Sequence, residues 1–313
     1  MQHSLKQSTY NSYDSYAKNH FKPALGNIRL QDLTSRMLQQ FYNYKIEHES
    51  LAPKTVRNIN LYLHKALGQA QKEGLILQNP ATGVNLPRNQ RPRVEILTRD
   101  KQALLVRASY QHRYGVFVRL VLVTGIRMGE LLGLRWEDID FRTSMLYVKR
   151  TLNRLQKRNL PADHEGPRTE IVIQEPKTEN SYRSIPLLPA VVQELLQWQT
   201  TQNIDAALIG ERYECNGMIV TNPLGGYIEP RTFSDYYHEM LNAAGLRHFT
   251  FHALRHTYAV LALQNGDDFK TVQENLGHAT ASFTLDVYGH VSARMKTESA
   301  SRMEGYIQSL SDE

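Results

Sequence analysis

The stretch FHALRHTYAV (251–260) sets two histidines and an arginine within five residues, beside an apolar run. On a helix His252 and Arg255 are three apart and share a face, so both can meet one ligand. His252 and His256, four apart, have the spacing of a two-histidine metal pair. Against that, Ala253 stands where H-E-x-x-H hydrolases carry glutamate, and no acid follows until Asp267. Arg255 is also an awkward neighbour for a dication. Three readings stay open on these residues alone: an anion held by His252 and Arg255, a metal on the histidine pair, or histidines satisfied inside a core. On the anion reading His256 lies at the edge of the site or turns from it, and packs.

Anion binding needs more cation than one arginine supplies. TGIRMGELLGLRWEDID (124–140) offers Arg127 where an apolar helix reaches a glycine-rich turn. A charge there is expensive unless it meets an anion or a carboxylate. Glu130, three residues on, is an in-house partner that could hold the guanidinium while its other donors face a phosphate. PKTENSYRSIPL (176–187) places Lys177 at the shoulder of a hairpin, where it could reach a ligand and give up a proton. LGHATASFTLDVYGH (276–290) adds His278 and Tyr288. A tyrosine near two arginines is a candidate nucleophile, because cations lower the cost of the phenolate. With 17 tyrosines in the chain, spacing alone does not select Tyr288.

These residues need elements to bring them together. The sequence predicts a helix over 4–21 ended by Pro23 and Gly26, and a second capped by Asp32 or Thr34. A third opens near Pro53, closes at Gly74 and carries an apolar face of Leu61, Leu63, Leu67 and Ala70. The stretch LPRNQRPRVEILTRDK (86–101) is basic and holds two prolines, which reads as an extended linker. Beyond it, 100–108 and 115–126 read as helices, the second largely buried. MLYVKRTL (145–152), TEIVIQE (169–175) and RSIPL (183–187) read as strands of a small antiparallel sheet. Helices follow from Pro189, over 231–245 and over 251–266, with an amphipathic helix in the tail.

At 313 residues with 41% hydrophobic content, the chain can bury two cores. It has no apolar run long enough to cross a membrane, and its N-terminus lacks the apolar segment of a secretory signal. Cys215 is the only cysteine, so no internal disulfide can form, which fits a reducing cytoplasm. The formal charge is only +6, but the linker concentrates cations, and a nucleic-acid backbone is a natural partner for it.

TGIRMGELLGLRWEDID, PKTENSYRSIPL, HALRHTYAV and LGHATASFTLDVYGH, in that order, resemble the four signature segments of the tyrosine recombinase (phage-type integrase) family. Integrases of phages and conjugative transposons of Gram-positive bacteria are the most similar. The resemblance implies a two-domain, mainly α fold. A helical core-type DNA-binding bundle (1–85) and a basic linker (86–98) would precede a mixed α+β catalytic domain (99–313) with a small antiparallel sheet. It assigns Arg127, Lys177, His252, Arg255, His278 and the nucleophile Tyr288 to catalysis, with Glu130 in support. Lys54, Arg57, Lys65, Arg88, Arg91 and Arg93 are candidate phosphate contacts.

The implied reaction exchanges phosphodiesters through a 3′-phosphotyrosyl intermediate and needs no cofactor, metal or ATP. The implied partners are double-stranded DNA attachment sites, a homo-tetramer on two duplexes, and an excisionase or DNA-bending accessory protein, with action in the bacterial cytoplasm at the nucleoid. The tail would dock on a neighbouring protomer, or pack on its own domain. In one respect the chain departs from the pattern: many such integrases begin with a further arm-type DNA-binding domain, whereas this chain starts almost at the core-binding helices. The rival functions are a type IB topoisomerase-like enzyme, a catalytically silent DNA-binding module and a metal-dependent hydrolase.

Overall fold

The computed structural model describes residues 6–88, 95–157, 165–175, 182–247 and 249–277, with isolated positions at 161 and between 300 and 310. The chain divides into two compact units, residues 1–93 with 155–169, and residues 94–154 with 170–313. Lys177, His278, Tyr288, Arg91 and Arg93 lie outside the described residues.

The first unit is helical. Helix α1 (Gln7–Tyr16) runs through a π-turn (Ala17–Phe21) into the short α2 (Lys22–Leu25). Pro23 therefore does not end the helix, as the sequence predicts, but sits inside it. The π-turn explains this: the Lys22 N–H reaches back five residues to the Ala17 carbonyl, just before the residue with no N–H to give. Helix α3 (Ser35–Glu47) is capped by Thr34, whose hydroxyl accepts from the Met37 N–H. Helix α4 (Pro53–Lys72) opens on Pro53 and turns out at Gly74, which takes a left-handed φ of 74°.

The buried face of α4 is Val56, Ile59, Leu63, Leu67 and Ala70. Leu61, expected on it, is 62% exposed, because two residues of helix turn it about 200° from Ile59 and Leu63. Leu38, Phe41 and Tyr42 of α3 complete the core, with the Tyr42 hydroxyl donating to Asn60 at 2.9 Å. Each of the large aliphatic side chains contributes on the order of 1.5–3 kcal/mol of burial. Leu63→Ala is thus the kind of single change that would loosen the bundle.

The second unit is built round helix α6 (Gly115–Thr124), eight of whose ten residues are buried. The exception among its long side chains is Arg119, which binds Glu194 at 2.7 Å and the Ser109 hydroxyl at 2.8 Å. Helices α5 (Arg99–Tyr110), α8 (Pro189–Ile209) and α10 (Phe251–Gln264) pack on α6. Helix α7 (Met128–Leu132) follows it, α9 (Pro230–Ala243) lies against α5 and α7, and α11 (Phe269–Leu276) follows α10. The described tail positions from 300 to 310 that fall in secondary structure are helical, and Met303, Ile307 and Leu310 are exposed.

A three-stranded antiparallel sheet has the order β1 (Ile139–Asp140), β2 (Met145–Val148), β5 (Arg183–Pro186), with Leu146 opposite Ile185 and Val148 opposite Arg183. Strands β3 (Thr151–Gln156) and β4 (Thr169–Gln174) form a separate pair. The sequence reads 145–152 as one strand, but it is two. Between them Arg150 turns aside to bind Asp138 at 2.7 Å and Glu137 at 2.9 Å, which ends the first ladder. Gly129 makes α7 fit against β3: a Cβ there would stand 2.5 Å from the Thr151 hydroxyl.

Candidate active site

The left-handed turn at Gly125 (φ 63°) ends α6 and presents Arg127 at the start of α7. Glu130, at the third helical position, reaches back to accept the Arg127 backbone N–H at 2.8 Å, and its other oxygen accepts from Arg127 Nη1 at 2.7 Å. The side chain of Arg127 is 39% exposed, so this guanidinium meets solvent.

Arg255 does not. It is 1% exposed and the largest of the fully buried side chains. Its Nη1 donates to the Gly125 carbonyl at 2.8 Å and its Nη2 to the Leu276 carbonyl at 2.5 Å. Both acceptors are terminal carbonyls, one ending α6 and one ending α11, which helical hydrogen bonding leaves without partners. A buried guanidinium is tolerable here because it satisfies two such groups and meets the negative end of each helix dipole.

The end of α11 is held more tightly still. Arg183 Nε donates to the Asn275 carbonyl at 2.6 Å, Arg255 to that of Leu276, and Arg127 Nη2 to that of Gly277 at 3.2 Å. Three consecutive carbonyls thus take three arginines, from β5, α10 and the start of α7. Arg183 also grips Glu130, with Nη2 at 2.7 Å from one carboxylate oxygen and Nη1 at 3.2 Å from the other. Burial alone would raise the Glu130 carboxyl. The hydrogen bonds and charge of Arg183, then those of Arg127, overturn that and lower it to about 2.

His252 is exposed, one turn from Arg255 on α10. Partial burial, then the charges of Arg255 and Arg127, hold its imidazole below the ordinary 6.5. His252 lies one turn from Arg255, and Arg255 and Arg127 bind adjacent carbonyls, so the three residues share one end of the fold. His256 stands edge-on to His252, with ring centroids 4.6 Å apart, and so lies at the edge of the site. Burial, His252 and Arg255 bring it down to about 4. Among the described residues, no three of His, Cys, Asp and Glu gather as a metal-binding group.

The expected residues Arg127, Glu130, His252 and Arg255 are thus brought together. Sequence reasoning missed Arg183 and the whole of α11. A signal for Arg183 was present: along β5 alternate residues face one way, and Ile185 on that inward face is buried. An arginine at the first inward position of such a strand has to find a carboxylate. On α4, Lys54, Arg57 and Lys65 are exposed, as is Arg88 after it. Arg57 Nε is tied to the Pro87 carbonyl at 2.8 Å, and Lys65 lies over the Tyr13 ring at 5.5 Å.

The model of the phage integrase family matches residues 95–295, and that of the phage integrase N-terminal SAM-like domain matches residues 1–46. A tyrosine recombinase XerC-like protein of Caldanaerobacter subterraneus subsp. tengcongensis is 32% identical over 305 residues, covering 94% of this chain and 77% of its own. The ICEBs1 integrase of Bacillus subtilis is 25% identical over 284 residues, 89% of this chain and 72% of its own. Among solved structures, the Tn1549 transposon integrase in complex with a circular intermediate DNA has a TM-score of 0.77 at 20% identity, over 96% of this chain and 95% of that one. A lambda integrase tetramer bound to a Holliday junction has a TM-score of 0.65 at 22% identity, over 91% and 74%. At these identities the two structures speak for a shared fold.

Proposed function

The chain belongs to the phage integrase family and is a site-specific tyrosine recombinase, and from that premise we propose how its residues cut and rejoin DNA. The Tyr288 hydroxyl attacks the scissile phosphorus, the P–O5′ bond breaks, and a 3′-phosphotyrosyl link forms. The phenolic proton passes to His252, whose imidazole is held below its ordinary value by partial burial and by the charges of Arg255 and Arg127. Lys177 gives a proton to the leaving 5′-oxygen, and His278 donates a hydrogen bond to the phosphate. Attack by a 5′-hydroxyl on the phosphotyrosine reverses each transfer and joins the new strand.

The observation that carries this reading is the shared locus of Arg127, Arg255 and His252 at the end of α11, the helix from which the chain continues to His278 and Tyr288. Arg127, the more exposed of the two arginines, binds a non-bridging oxygen where charge gathers in the transition state. Arg255 completes the clamp from beneath. Being 1% exposed, it reaches phosphate only when the end of α11 yields to bound DNA.

The domains divide as 1–85, linker 86–98 and 99–313, and each contacts the duplex. Lys54, Arg57, Lys65, Arg88, Arg91 and Arg93 touch phosphates and place the protein without reading sequence. Strand exchange joins four protomers on two duplex attachment sites in the bacterial cytoplasm, with an excisionase or DNA-bending protein setting direction. Among the described residues no helix is long and apolar enough to cross a membrane.

The test is a nicked suicide duplex carrying the attachment core. The wild type should form a covalent protein–DNA adduct that Tyr288→Phe abolishes. An adduct persisting in Tyr288→Phe would show that another residue is the nucleophile. Relaxation of supercoils without joining of partner sites would favour the topoisomerase-like activity instead.

A further inference from the structure

Glu130 brings a buried carboxylate to this cationic locus, and with it an electrostatic difficulty. Paired with Arg127 alone, it would cancel the charge that a phosphate has to meet. Instead both its oxygens are shared: one accepts from Arg127 Nη1 and Arg183 Nη1, the other from the Arg127 backbone N–H and Arg183 Nη2. The side chain of Arg183 is 5% exposed, against 39% for Arg127. Arg183 is thus the buried partner of the carboxylate and Arg127 the one that faces outward. Three guanidiniums against one carboxylate leave two positive charges at these four side chains. Without Arg183 a single one would remain.

We propose that Arg183 is a positioning residue for DNA cleavage, one that takes up the charge of Glu130 so that Arg127 stays positive toward the scissile phosphate. Its Nε bond to the Asn275 carbonyl ties the same carboxylate to the end of α11. The described contacts of Arg183 run to Glu130 and to the end of α11. Arg183 acts through Glu130 and Arg127, and it fixes the geometry because a planar fork can hold a carboxylate and a carbonyl at once. The lowered carboxyl of Glu130 agrees with this, since Arg183 is the largest favourable influence on it. This inference rests on the recombinase reading and adds to it a residue outside the six expected catalytic groups.

Single-turnover cleavage of the nicked suicide duplex tests it, with duplex affinity and thermal unfolding measured beside it. Arg183→Met should slow cleavage by about 100-fold, the scale of losing one preorganised cation, while duplex affinity stays within about threefold. Arg183→Lys keeps the charge but loses the planar fork, and should cleave faster than Arg183→Met yet slower than wild type. The double variant Glu130→Gln/Arg183→Met removes both charges, restores the net balance, and should recover at least about tenfold of the loss.

A purely structural role for Arg183 predicts the opposite, since a second substitution would leave the double variant no faster than Arg183→Met. That result overturns the proposal, as does an unimpaired Arg183→Met. If Arg183→Met does not fold, the lysine and double variants decide, and loss of cleavage in both overturns it. A wild-type protein that forms no adduct would instead remove the recombinase reading, and the role of Arg183 with it.

Discussion

Arg127 and Arg255 donate to consecutive carbonyls, those of Gly277 and Leu276, although they lie on different helices and differ in exposure from 39% of the side chain to 1% of the residue. This shared grip makes the end of α11 common property of the two arginines. It also gives their removal different consequences.

Arg127→Ala deletes a solvent-facing cation and should slow strand cleavage by about 100-fold or more, with little change in thermal stability. Arg255→Ala deletes a buried one and strands the Gly125 and Leu276 carbonyls. It should lose cleavage and also about 3 kcal/mol of stability. Both should keep most of their duplex affinity. Denaturant unfolding beside single-turnover cleavage checks the contrast, and equal stability of the two variants would contradict it.

Gly125 is needed where α6, α10 and α11 meet. A Cβ there would come within 2.4 Å of the Tyr258 ring and 2.7 Å of Leu276 Cδ2, at a φ of 63°. Gly125→Ala should therefore cost about 2–3 kcal/mol, from overpacking together with left-handed strain. Because the clash is with the last residue of α11, cleavage should fall with stability. A lowered melting temperature with full activity would separate the two.

His256 makes stability depend on pH. Its imidazole is brought from 6.5 to about 4 in the folded chain. Between those values the unfolded chain binds a proton that the folded chain refuses, so stability is lost as pH falls from about 6.5 toward 4. His256→Gln removes that group and should flatten the loss by on the order of 2 kcal/mol, once solvent screening of a half-buried ring is allowed for. The paired carboxyl of Glu130, lowered from 4.5 to about 2, adds a further loss at lower pH that this variant leaves in place. Unfolding curves at pH values from about 7 to about 4 read the first, and their extension to about pH 3 reads the second.

Neutralising Lys54, Arg57 and Lys65 together should weaken duplex binding evenly across sequences. For every phosphate that goes unneutralised, the salt-dependence slope should shrink by about 0.9. A specific loss at one base pair, with the slope unchanged, would mean that these side chains read bases. On the proposed mechanism cleavage should proceed undiminished in EDTA, because arginines and histidines would do the electrostatic work without a metal.

Much of this was legible in the sequence, and for definite reasons. Pro53, Gly74, Thr34 and Gly245 punctuate helices because their backbone requirements are local. The clustering of His252 and Arg255 follows from helical spacing alone. What local pattern could not show is compensation at a distance. Pro23 is tolerated inside a helix because the preceding turn widens, and the ladder breaks at Arg150 because Asp138, twelve residues back, draws it away. Arg183 hid for the same reason, since its partners Glu130 and Asn275 lie 53 and 92 positions off. Short amphipathic α11, eight residues long, offered too little periodicity to stand out.

The three arginines at the end of α11 read main chain rather than side chains. These bonds do not themselves select the side chains at 275–277, but Leu276 is fully buried and Gly277 takes a left-handed φ of 61°, so those two positions are held by packing and backbone conformation. Length is another matter: one inserted residue would rotate all three carbonyls by about 100° and advance them about 1.5 Å. Relatives of this chain should accordingly keep the residue count of that turn along with its buried Leu276 and left-handed Gly277, and a single-codon insertion there should abolish cleavage.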